Sequence, residues 1–358
     1  MLAAKLTRWS YQRVAKPILF LQDPENVHQH VLRVGRFLGN TKPRKQIVRR
    51  FFHYQNPSLA QTVCGIRFEN PIGLAAGFDK DADLTQVLAS VGFGFEEVGS
   101  ITAERCEGNP RPRLWRHPDL RSLRVYYGLK NKGCEDISEK LSRLRFDLPI
   151  GISMAKTNSE KTTDVDAGIA DYVTTYKTFS NIGSYDTLNI SCPNTFGGEP
   201  FCAPERLEKL LGAIHTVRNK KPIFLKLSPE HSLDELNEIA LIAKKHKING
   251  LICSNLIKKH GFGKGGLSGK PVEHASNTHL EHLYKNFSQH LILISCGGIW
   301  NGQEAYERIR HGASLLQLIT GMVYQGPQLI GEINRDLALL LKREGYNNIS
   351  EAIGAAYK

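Results

Sequence analysis

After residue 60 the chain repeats one pattern of hydrophobic and polar positions: a short apolar run, then glycine or polar residues, then a stretch with helical periodicity. Short buried strands that alternate with helices are typical of a parallel sheet, and eight such strands close a barrel. We therefore predict an α/β fold, a (β/α)8 TIM barrel. The eight runs are residues 71–76, 95–100, 150–154, 187–191, 222–227, 250–254, 291–295 and 315–319.

The competing fold is a doubly wound open sheet. Such a sheet usually carries a G-x-G-x-x-G turn after its first strand, whereas residues 74–80 here read LAAGFDK. Residues 62–69, before the first strand, have the pattern of a small hairpin that closes the floor of a barrel. Both observations favour the barrel.

The first part of the chain contains two amphipathic stretches. Hydrophobic residues recur at helical spacing in residues 27–38 and 46–54, and Asp23 followed by Pro24 is a typical helix start. A weaker stripe, which includes Trp9, runs through residues 1–14. Short basic amphipathic helices with aromatic side chains often lie in a membrane interface. The alternative is that these stripes pack against the barrel.

Charge separates this segment from the rest of the chain. The protein has 358 residues and a net charge of +12, and residues 1–60 hold eleven Lys and Arg against two acidic residues. The segment has no nucleic-acid-binding signature, so a membrane surface is favoured and no nucleic-acid partner is expected. We predict three parts: a basic amphipathic N-terminal extension (residues 1–58), the barrel (59–340) and a C-terminal tail (341–358).

Composition argues against several classes of protein. The seven cysteines are odd in number and scattered without a C-x-x-C pair, which favours a reducing compartment over a disulfide framework or a zinc site. No apolar run approaches the roughly 18 residues of a membrane span, and residues 1–20 lack the apolar stretch of a secretory signal. Those residues also lack acids, as a mitochondrial transit peptide does, so that alternative stays open.

In a barrel of this kind the chemistry lies at the carboxyl ends of the strands. These ends carry amides, lysines, a thiol and glycines, but no carboxylate pair and no histidine cluster, so neither hydrolase chemistry nor a metal is expected. The set suits a planar heterocycle with a phosphate. Its members are Ala75, Ala76, Gly77, Lys80, Ser100, Ser153, Asn189, Cys192, Asn194, Lys226, Ser254, Asn255, Gly297, Gly298, Thr320 and Gly321.

Three features of this set indicate specific chemistry. Glycines after the seventh and eighth strands allow backbone N–H groups to approach a phosphate, although tight turns would explain them too. Lys226 interrupts an apolar strand and needs an anion, such as the N1–C2=O edge of a reduced flavin, unless it extends outwards to solvent. Cys192 stands among asparagines and could act as a base, the alternative being an inert buried thiol.

The chain resembles the dihydroorotate dehydrogenases, and over nearly its whole length the membrane-associated, quinone-using class. Its N-terminal two-helix extension is what separates this class from the soluble ones. The resemblance is carried by residues 21–25 (LQDPE), His28, 70–80 (NPIGLAAGFDK), 108–113 (GNPRPR), 189–195 (NISCPNT), 266–271 (GLSGKP) and 312–314 (GAS).

The resemblance implies an FMN enzyme in which a base removes the C5 proton of dihydroorotate while C6 gives a hydride to flavin N5. The reduced flavin then passes its electrons to a quinone that enters between the N-terminal helices. It implies Cys192 and Lys80 as catalytic residues, Lys80, Asn189, Asn194 and Asn255 as substrate ligands, and His28 and Arg116 at the quinone. The implied FMN contacts are Ala75, Ala76, Gly77, Lys80, Ser100, Asn189, Lys226, Ser254, Gly269, Gly297, Gly298, Thr320 and Gly321.

The sequence departs from the family pattern at the substrate. Cys192 stands where the quinone-using class carries serine, Val125 and Ser153 where it carries asparagine, and Leu256 where it carries threonine. A lost buried polar contact costs about 1–3 kcal/mol when its partner is left unpaired. FMN binding is therefore better supported than binding of dihydroorotate.

We hypothesise a quinone-linked oxidation of dihydroorotate in pyrimidine biosynthesis. The alternatives are a membrane-associated FMN oxidoreductase of the same family with a different small substrate, and a flavin-binding protein whose catalysis has decayed. The expected location is the cytoplasmic side of the inner membrane, as a peripheral protein, or the mitochondrial inner membrane in a eukaryote.

Overall fold

The computed structural model describes residues 2–192, 194–198 and 200–358. Eight parallel strands form a closed barrel in which each strand pairs with the next along the chain and the last pairs with the first. This confirms the predicted (β/α)8 barrel with an N-terminal helical extension. The strands of the protein are β1 (Gln61–Val63), β2 (Ile66–Phe68), β3 (Ile72–Leu74), β4 (Phe95–Ile101), β5 (Leu114–His117), β6 (Ser122–Val125), β7 (Ile150–Met154), β8 (Tyr185–Asn189), β9 (Ile223–Lys226), β10 (Gly250–Cys253), β11 (Gly266–Leu267), β12 (Ile292–Cys296) and β13 (Leu315–Leu318).

Helices cover the outside of the barrel and its carboxyl end. They are α1 (Leu2–Ser10), α2 (Lys16–Phe20), α3 (Pro24–Gly39), α4 (Lys42–Phe52), α5 (Leu88–Val91), α6 (Cys134–Ser142), α7 (Val165–Thr178), α8 (Pro204–Thr216), α9 (Leu233–Lys245), α10 (Glu273–Phe287), α11 (Gly302–Arg310), α12 (Thr320–Gln325) and α13 (Leu329–Glu344). A π-helical turn over Tyr11–Ala15 joins α1 to α2. The last helix continues past residue 340, and the following residues pack on it, with Ile349 and Ala352 fully buried.

The interior of the barrel is closed at its floor by apolar side chains. Phe68 of the predicted hairpin, which forms as β1 and β2, packs edge-on against Phe95 with ring centroids 5.4 Å apart. Gly73 makes room for that ring, because a Cβ atom there would lie 2.2 Å from the Phe95 ring. The carboxyl half of the interior is polar instead, with Glu97, Thr187 and Gln317 fully buried.

One barrel strand begins earlier than the sequence pattern predicts. β8 starts at Tyr185, whereas the sequence pattern predicts a start at residue 187 because the acid Asp186 interrupts the apolar run. Asp186 is nevertheless fully buried in the strand. Lys221 compensates for this acid, with its Nζ 2.7 Å from the Asp186 carboxylate. The shift places Asn189 at the end of the strand and Cys192 in the loop that follows.

A three-stranded antiparallel sheet of β5, β6 and β11 lies outside the barrel and was not predicted. Helix α3 packs against β5. The hydroxyl of Tyr324, in α12, donates to the carbonyl of Ser122 at 2.7 Å, which ties the sheet to the last barrel unit. The N-terminal helices therefore rest on this sheet as well as on the barrel.

A buried ion pair holds α3 in place. The helix begins with the Asp23 carboxylate accepting from the backbone N–H of Asn26 at 2.9 Å, and Pro24 follows in the first turn. Glu25, next along, is only 3% exposed. The Arg113 guanidinium donates to both of its carboxylate oxygens at 2.8–3.1 Å, and Arg111 approaches within 3.1 Å.

The N-terminal helices are apolar on two faces. Their inner face packs on the barrel, as the alternative interpretation of the sequence predicted, and Val48 is buried there. Their outer face exposes Trp9 by 58%, Ile18 by 56% and Leu21 by 90%. None of the helices in the described parts of the chain is both long and apolar enough to span a membrane.

We expect Glu25→Ala to lower the free energy of unfolding by about 3 kcal/mol, because it leaves a buried guanidinium without its counter-charge. Urea unfolding followed by circular dichroism measures the loss. Glu107→Ala is the matched control, since Glu107 forms an exposed ion pair with Arg105 and its loss costs less than about 1 kcal/mol. Equal effects of the two substitutions would contradict the role given to the buried pair.

Candidate active site

One continuous cavity of about 650 Å³ runs from the carboxyl ends of the barrel strands to the space between the N-terminal helices. Its deep end is polar and its outer end is apolar. The predicted site residues that line it are Ala76, Gly77, Lys80, Ser100, Asn189, Cys192, Asn194, Lys226, Asn255, Thr320, His28 and Arg116. The structure thus brings together residues from eight separate segments of the chain.

Amides and hydroxyls form a connected floor to the polar end. The Asn189 side chain donates to Ser100 Oγ at 2.8 Å, and Ser100 Oγ lies 2.8 Å from Ser153 Oγ. Asn255 donates to Asn189 Oδ1 at 3.2 Å and to the carbonyl of Ser191 at 2.9 Å. These bonds fix the orientations of the two amides before any ligand arrives.

Lys226 lies beside this floor, in register with Asn189 on the neighbouring strand. It is 4% exposed, and its ammonium faces the cavity. Its nearest carboxylate oxygen, Glu97 Oε1, is 3.9 Å away, which is beyond hydrogen-bond distance. Among the described residues the ammonium has no hydrogen-bond acceptor. The structure therefore excludes the alternative in which the Lys226 side chain extends outwards to solvent.

The loop that carries Cys192 is held from three sides. The Lys156 ammonium, 3% exposed, donates to the carbonyl of Phe196 at 2.7 Å. The Asn158 side chain accepts from the Phe196 N–H at 2.8 Å, and Asn109 donates to the carbonyl of Asn194 at 3.0 Å. Cys192 is half-buried, and the Lys156 side chain is close enough for the two groups to interact electrostatically.

Lys80 connects the cavity to the N-terminal helices. Its ammonium lies 3.9 Å from the centroid of the Tyr127 ring, and burial lowers its pKa to about 8 despite the neighbouring carboxylates. The Tyr127 hydroxyl is 3.4 Å from His28 Nδ1, and His28 Nε2 donates to the carbonyl of Phe78 at 2.8 Å. Burial also lowers the pKa of His28 to about 3, so its ring is neutral.

Arg116 stands at the apolar end of the cavity. Its guanidinium donates to the carbonyls of Phe20 and Gln22 at 3.3 and 2.8 Å and stacks over the Phe20 ring at 4.6 Å. It therefore fixes the turn between α2 and α3. His28 and Arg116 are both in the passage wall, as the sequence predicted for the quinone residues, and their role there stays a prediction.

The remaining predicted FMN contacts are not among the residues that line the cavity, although four of them are next in sequence to residues that do: Ala75, Ser254, Gly269, Gly297, Gly298 and Gly321. Gly297 and Gly298 have φ angles of +95° and +71°, in the left-handed region that favours glycine. A Cβ atom on Gly269 would lie 2.8 Å from Thr320, and one on Gly321 would lie 2.2 Å from the carbonyl of Ile299. The glycines therefore keep the backbone of these loops close together and uncovered.

Sequence reasoning missed several residues of the site. Lys156 lies just after an apolar strand, and the search for lysines in or beside apolar runs that found Lys226 could have found it. Asn109 lies within the quoted motif 108–113, although no role was given to it. Glu97 carried no local signal, because a single acid in a strand is common. The described residues contain no cluster of histidine, cysteine or acidic side chains suited to a metal.

Comparison with known proteins assigns the family. The family model described as dihydroorotate dehydrogenase matches residues 58–341. The chain belongs to the dihydroorotate dehydrogenase family. It is 36% identical to the dihydroorotate dehydrogenase (quinone) of Mycolicibacterium smegmatis, over 97% of this chain and 99% of that one. It is 34% identical to the corresponding protein of Gloeobacter violaceus, over 96% of this chain and 99% of that one.

Solved structures of the family agree with this assignment. The crystal structure of DHODH from Eimeria tenella in complex with ferulenol has a TM-score of 0.82, with 26% identity, and covers 94% of this chain and 96% of that one. The ligand-free structure from the same organism has a TM-score of 0.83. Both the predicted family and the predicted fold are confirmed.

Dihydroorotate dehydrogenases are FMN-dependent oxidoreductases, and the residues present here fit that cofactor. Ser254 is 1% exposed, and its Oγ has no hydrogen-bond partner in the described residues. Lys226 is a second buried donor without an acceptor. Buried polar groups are nearly always paired, so these two donors fit a cofactor that offers acceptor atoms. The individual FMN contacts stay predictions.

We expect Ser254→Ala to weaken FMN binding about tenfold without destabilising the flavin-free protein, because its hydroxyl has no partner to lose. Fluorescence titration of flavin-stripped protein with FMN measures the affinity. Ser276→Ala is the control: the Ser276 hydroxyl bonds the carbonyls of Cys253 and Cys296, so its loss affects stability instead. Unchanged FMN affinity in Ser254→Ala would remove that hydroxyl from the cofactor site.

Proposed function

We propose that this protein oxidises dihydroorotate to orotate with FMN as cofactor and a quinone as electron acceptor, a step of pyrimidine biosynthesis. The observation that carries the proposal is the single cavity in which Cys192, Lys80 and the asparagines lie beside Lys226 and open into an apolar passage. The similarity to quinone-using relatives over nearly the whole chain supports the same activity.

The chain supplies binding and proton transfer. FMN, when bound, accepts the hydride that leaves C6 of the substrate. Cys192, as a thiolate, takes the C5 proton, and the substrate leaves with a new C5=C6 double bond. Lys156, whose pKa burial lowers, lies close enough to Cys192 for the two groups to interact electrostatically. Lys80, positively charged below about pH 8, attracts the substrate carboxylate, while Asn189, Asn194 and Asn255 face the heterocycle.

The second half of the proposal concerns the quinone. The apolar passage between the N-terminal helices, with Arg116 and His28 in its wall, suits a lipophilic acceptor. The apolar outer face of the same helices and the positive charge of residues 1–60 support peripheral binding to a membrane. We propose that the protein lies on the cytoplasmic side of an inner membrane, or on the mitochondrial inner membrane if it is eukaryotic.

A second candidate function is the oxidation of a different small substrate by the same cofactor. Val125 and Leu256 place alkyl groups in the cavity wall, and the Asn194 amide donates to the carbonyl of Val125 at 2.9 Å. The Asn255 amide accepts from the N–H of Leu256 at 3.0 Å. Two of the asparagines are thus bonded to the protein, and the pocket is more apolar than the family pattern implies.

An anaerobic mixture of the purified protein with excess L-dihydroorotate tests the main proposal. We expect the visible flavin band to bleach rapidly in the wild type. In Cys192→Ala the protein should stay yellow and bleach at least 100-fold more slowly, because general-base catalysis typically contributes about 10²–10⁴ in rate. Stopped-flow absorbance follows both reactions.

Two results would contradict this assignment in different ways. A wild-type protein that keeps its flavin band would reject dihydroorotate and favour the second candidate, with its altered wall at Val125 and Leu256. Bleaching at equal rates in both proteins would keep the substrate and remove Cys192 from the mechanism. Cys202→Ala is the matched control, since Cys202 does not line the main cavity.

Val31→Trp tests the quinone passage. Val31 lines the cavity within α3, so the larger side chain should slow reoxidation by a lipophilic quinone about tenfold or more while flavin reduction is unchanged. Separate half-reactions in the stopped flow measure the two rates. Leu21→Trp, on the exposed outer face, serves as the control. If both variants reoxidise like the wild type, the quinone does not use this passage.

A further inference from the structure

Glu97 is a buried acid in the interior of the barrel, below the floor of the site. It is fully buried in β4, and its Oε2 accepts from Thr187 Oγ1 at 3.0 Å, from Gln317 Nε2 at 2.9 Å and from the Tyr185 hydroxyl at 3.4 Å. Its Oε1 has no hydrogen-bond partner among the residues that the structure describes, and it is the oxygen that faces Lys226 at 3.9 Å. Three neutral donors thus hold the carboxylate in one orientation.

Two other ionisable groups, Tyr185 and Cys296, lie beside this pair, and both have raised pKa values. Burial and the Glu97 charge raise the pKa of Tyr185 well above its ordinary value, and burial raises the pKa of Cys296, which faces the pair from β12. Glu96 points to the opposite face of β4, where it lies beside Asp79. Lys80 and Cys192 line the cavity above. Within the described barrel interior, Glu97 is therefore the counter-charge available to Lys226.

We propose that Glu97 is a positioning residue of the flavin site, which provides the counter-charge of Lys226 and sets how strongly the ammonium stabilises the reduced cofactor. The inference rests on the proposed function only for the presence of FMN, and it does not depend on the substrate. A buried ammonium without a counter-ion tends to lose its proton, because low dielectric disfavours the charged form. Glu97 provides this counter-ion at 3.9 Å and partly cancels the field of the ammonium.

The distance between the Glu97 carboxylate and the Lys226 ammonium determines what the lysine can still bind. At 3.9 Å the carboxylate is near enough to stabilise the ammonium, yet it does not occupy the ammonium's hydrogen-bond donors. Those donors are left for the cofactor. A direct ion pair would satisfy the lysine within the protein and leave less of its charge for the flavin.

The test is the two-electron reduction equilibrium of the flavin in Glu97→Gln, measured against reference dyes at pH 6 and pH 9. At pH 6 the uncancelled lysine charge should raise the equilibrium constant about tenfold over the wild type, which corresponds to about 30 mV. At pH 9 the constant of the variant should instead fall below that of the wild type, because a buried ammonium without a counter-ion tends to lose its proton. Because Lys80 and Cys192 are present in both proteins, their titration cancels in the ratio.

Two further variants make the result specific. Thr187→Val removes a hydrogen bond to the same carboxylate but keeps its charge. The ratio of its flavin reduction constant to that of the wild type should therefore not change with pH. In a Lys226→Met background, Glu97→Gln should likewise show no pH-dependent ratio. A ratio for Glu97→Gln that is equal at the two pH values would overturn the proposal, and so would a pH dependence that persists without Lys226.

Glu97→Asp keeps the test open if Glu97→Gln does not fold. It retains the carboxylate but moves it away from Lys226 by one methylene group. The ratio of reduction constants should therefore again be above one at pH 6 and below one at pH 9, with smaller differences from the wild type. A flat ratio in this variant would equally overturn the role of Glu97. The bleaching experiment with dihydroorotate tests which substrate the protein oxidises, whereas the reduction equilibrium tests only the electrostatics of the bound flavin. A negative result in one experiment therefore does not affect the interpretation of the other.

Discussion

Closure of the parallel barrel is the constraint on which the rest of the structure depends. Because all eight strands run in the same direction, their carboxyl ends meet on one face, and side chains far apart in sequence converge there. That face is open to solvent unless another element covers it. Here the N-terminal helices and the β5–β6–β11 sheet form the cover, and the buried Glu25–Arg113 pair fixes one to the other.

The cover gives the cavity two chemically different ends. Asn189, Lys226 and Asn255 make the deep end polar, whereas the passage between α2 and α3 is lined mainly by aliphatic and aromatic side chains. A heterocycle with charged and amide groups suits the first, and a lipophilic acceptor suits the second. One cofactor between them could exchange electrons with both, so the two-ended shape matches the two half-reactions of the proposed function.

Much of the fold and a good part of the site could be predicted from the sequence, since both depend on local patterns. Apolar runs marked the strands, and the residue after each run marked the candidate site. The β5–β6–β11 sheet could not be predicted, because β11 has two residues and its pairing with β6 joins segments more than 100 residues apart. The start of β8 was missed because Asp186 is compensated by Lys221, a partner that only the fold brings near.

Glu97 shows why charge in a barrel interior cannot be interpreted from one strand alone. In the sequence it is one of two adjacent acids in an apolar run, and the alternation of a strand sends Glu96 and Glu97 to opposite faces. Burial, together with the neighbouring acid Asp79, raises the pKa of Glu96 well above its ordinary value and favours the neutral acid. Glu97 lies opposite a buried lysine instead, 3.9 Å from its ammonium. Two neighbouring residues of one type thus have different electrostatic surroundings because of what the rest of the fold places next to them.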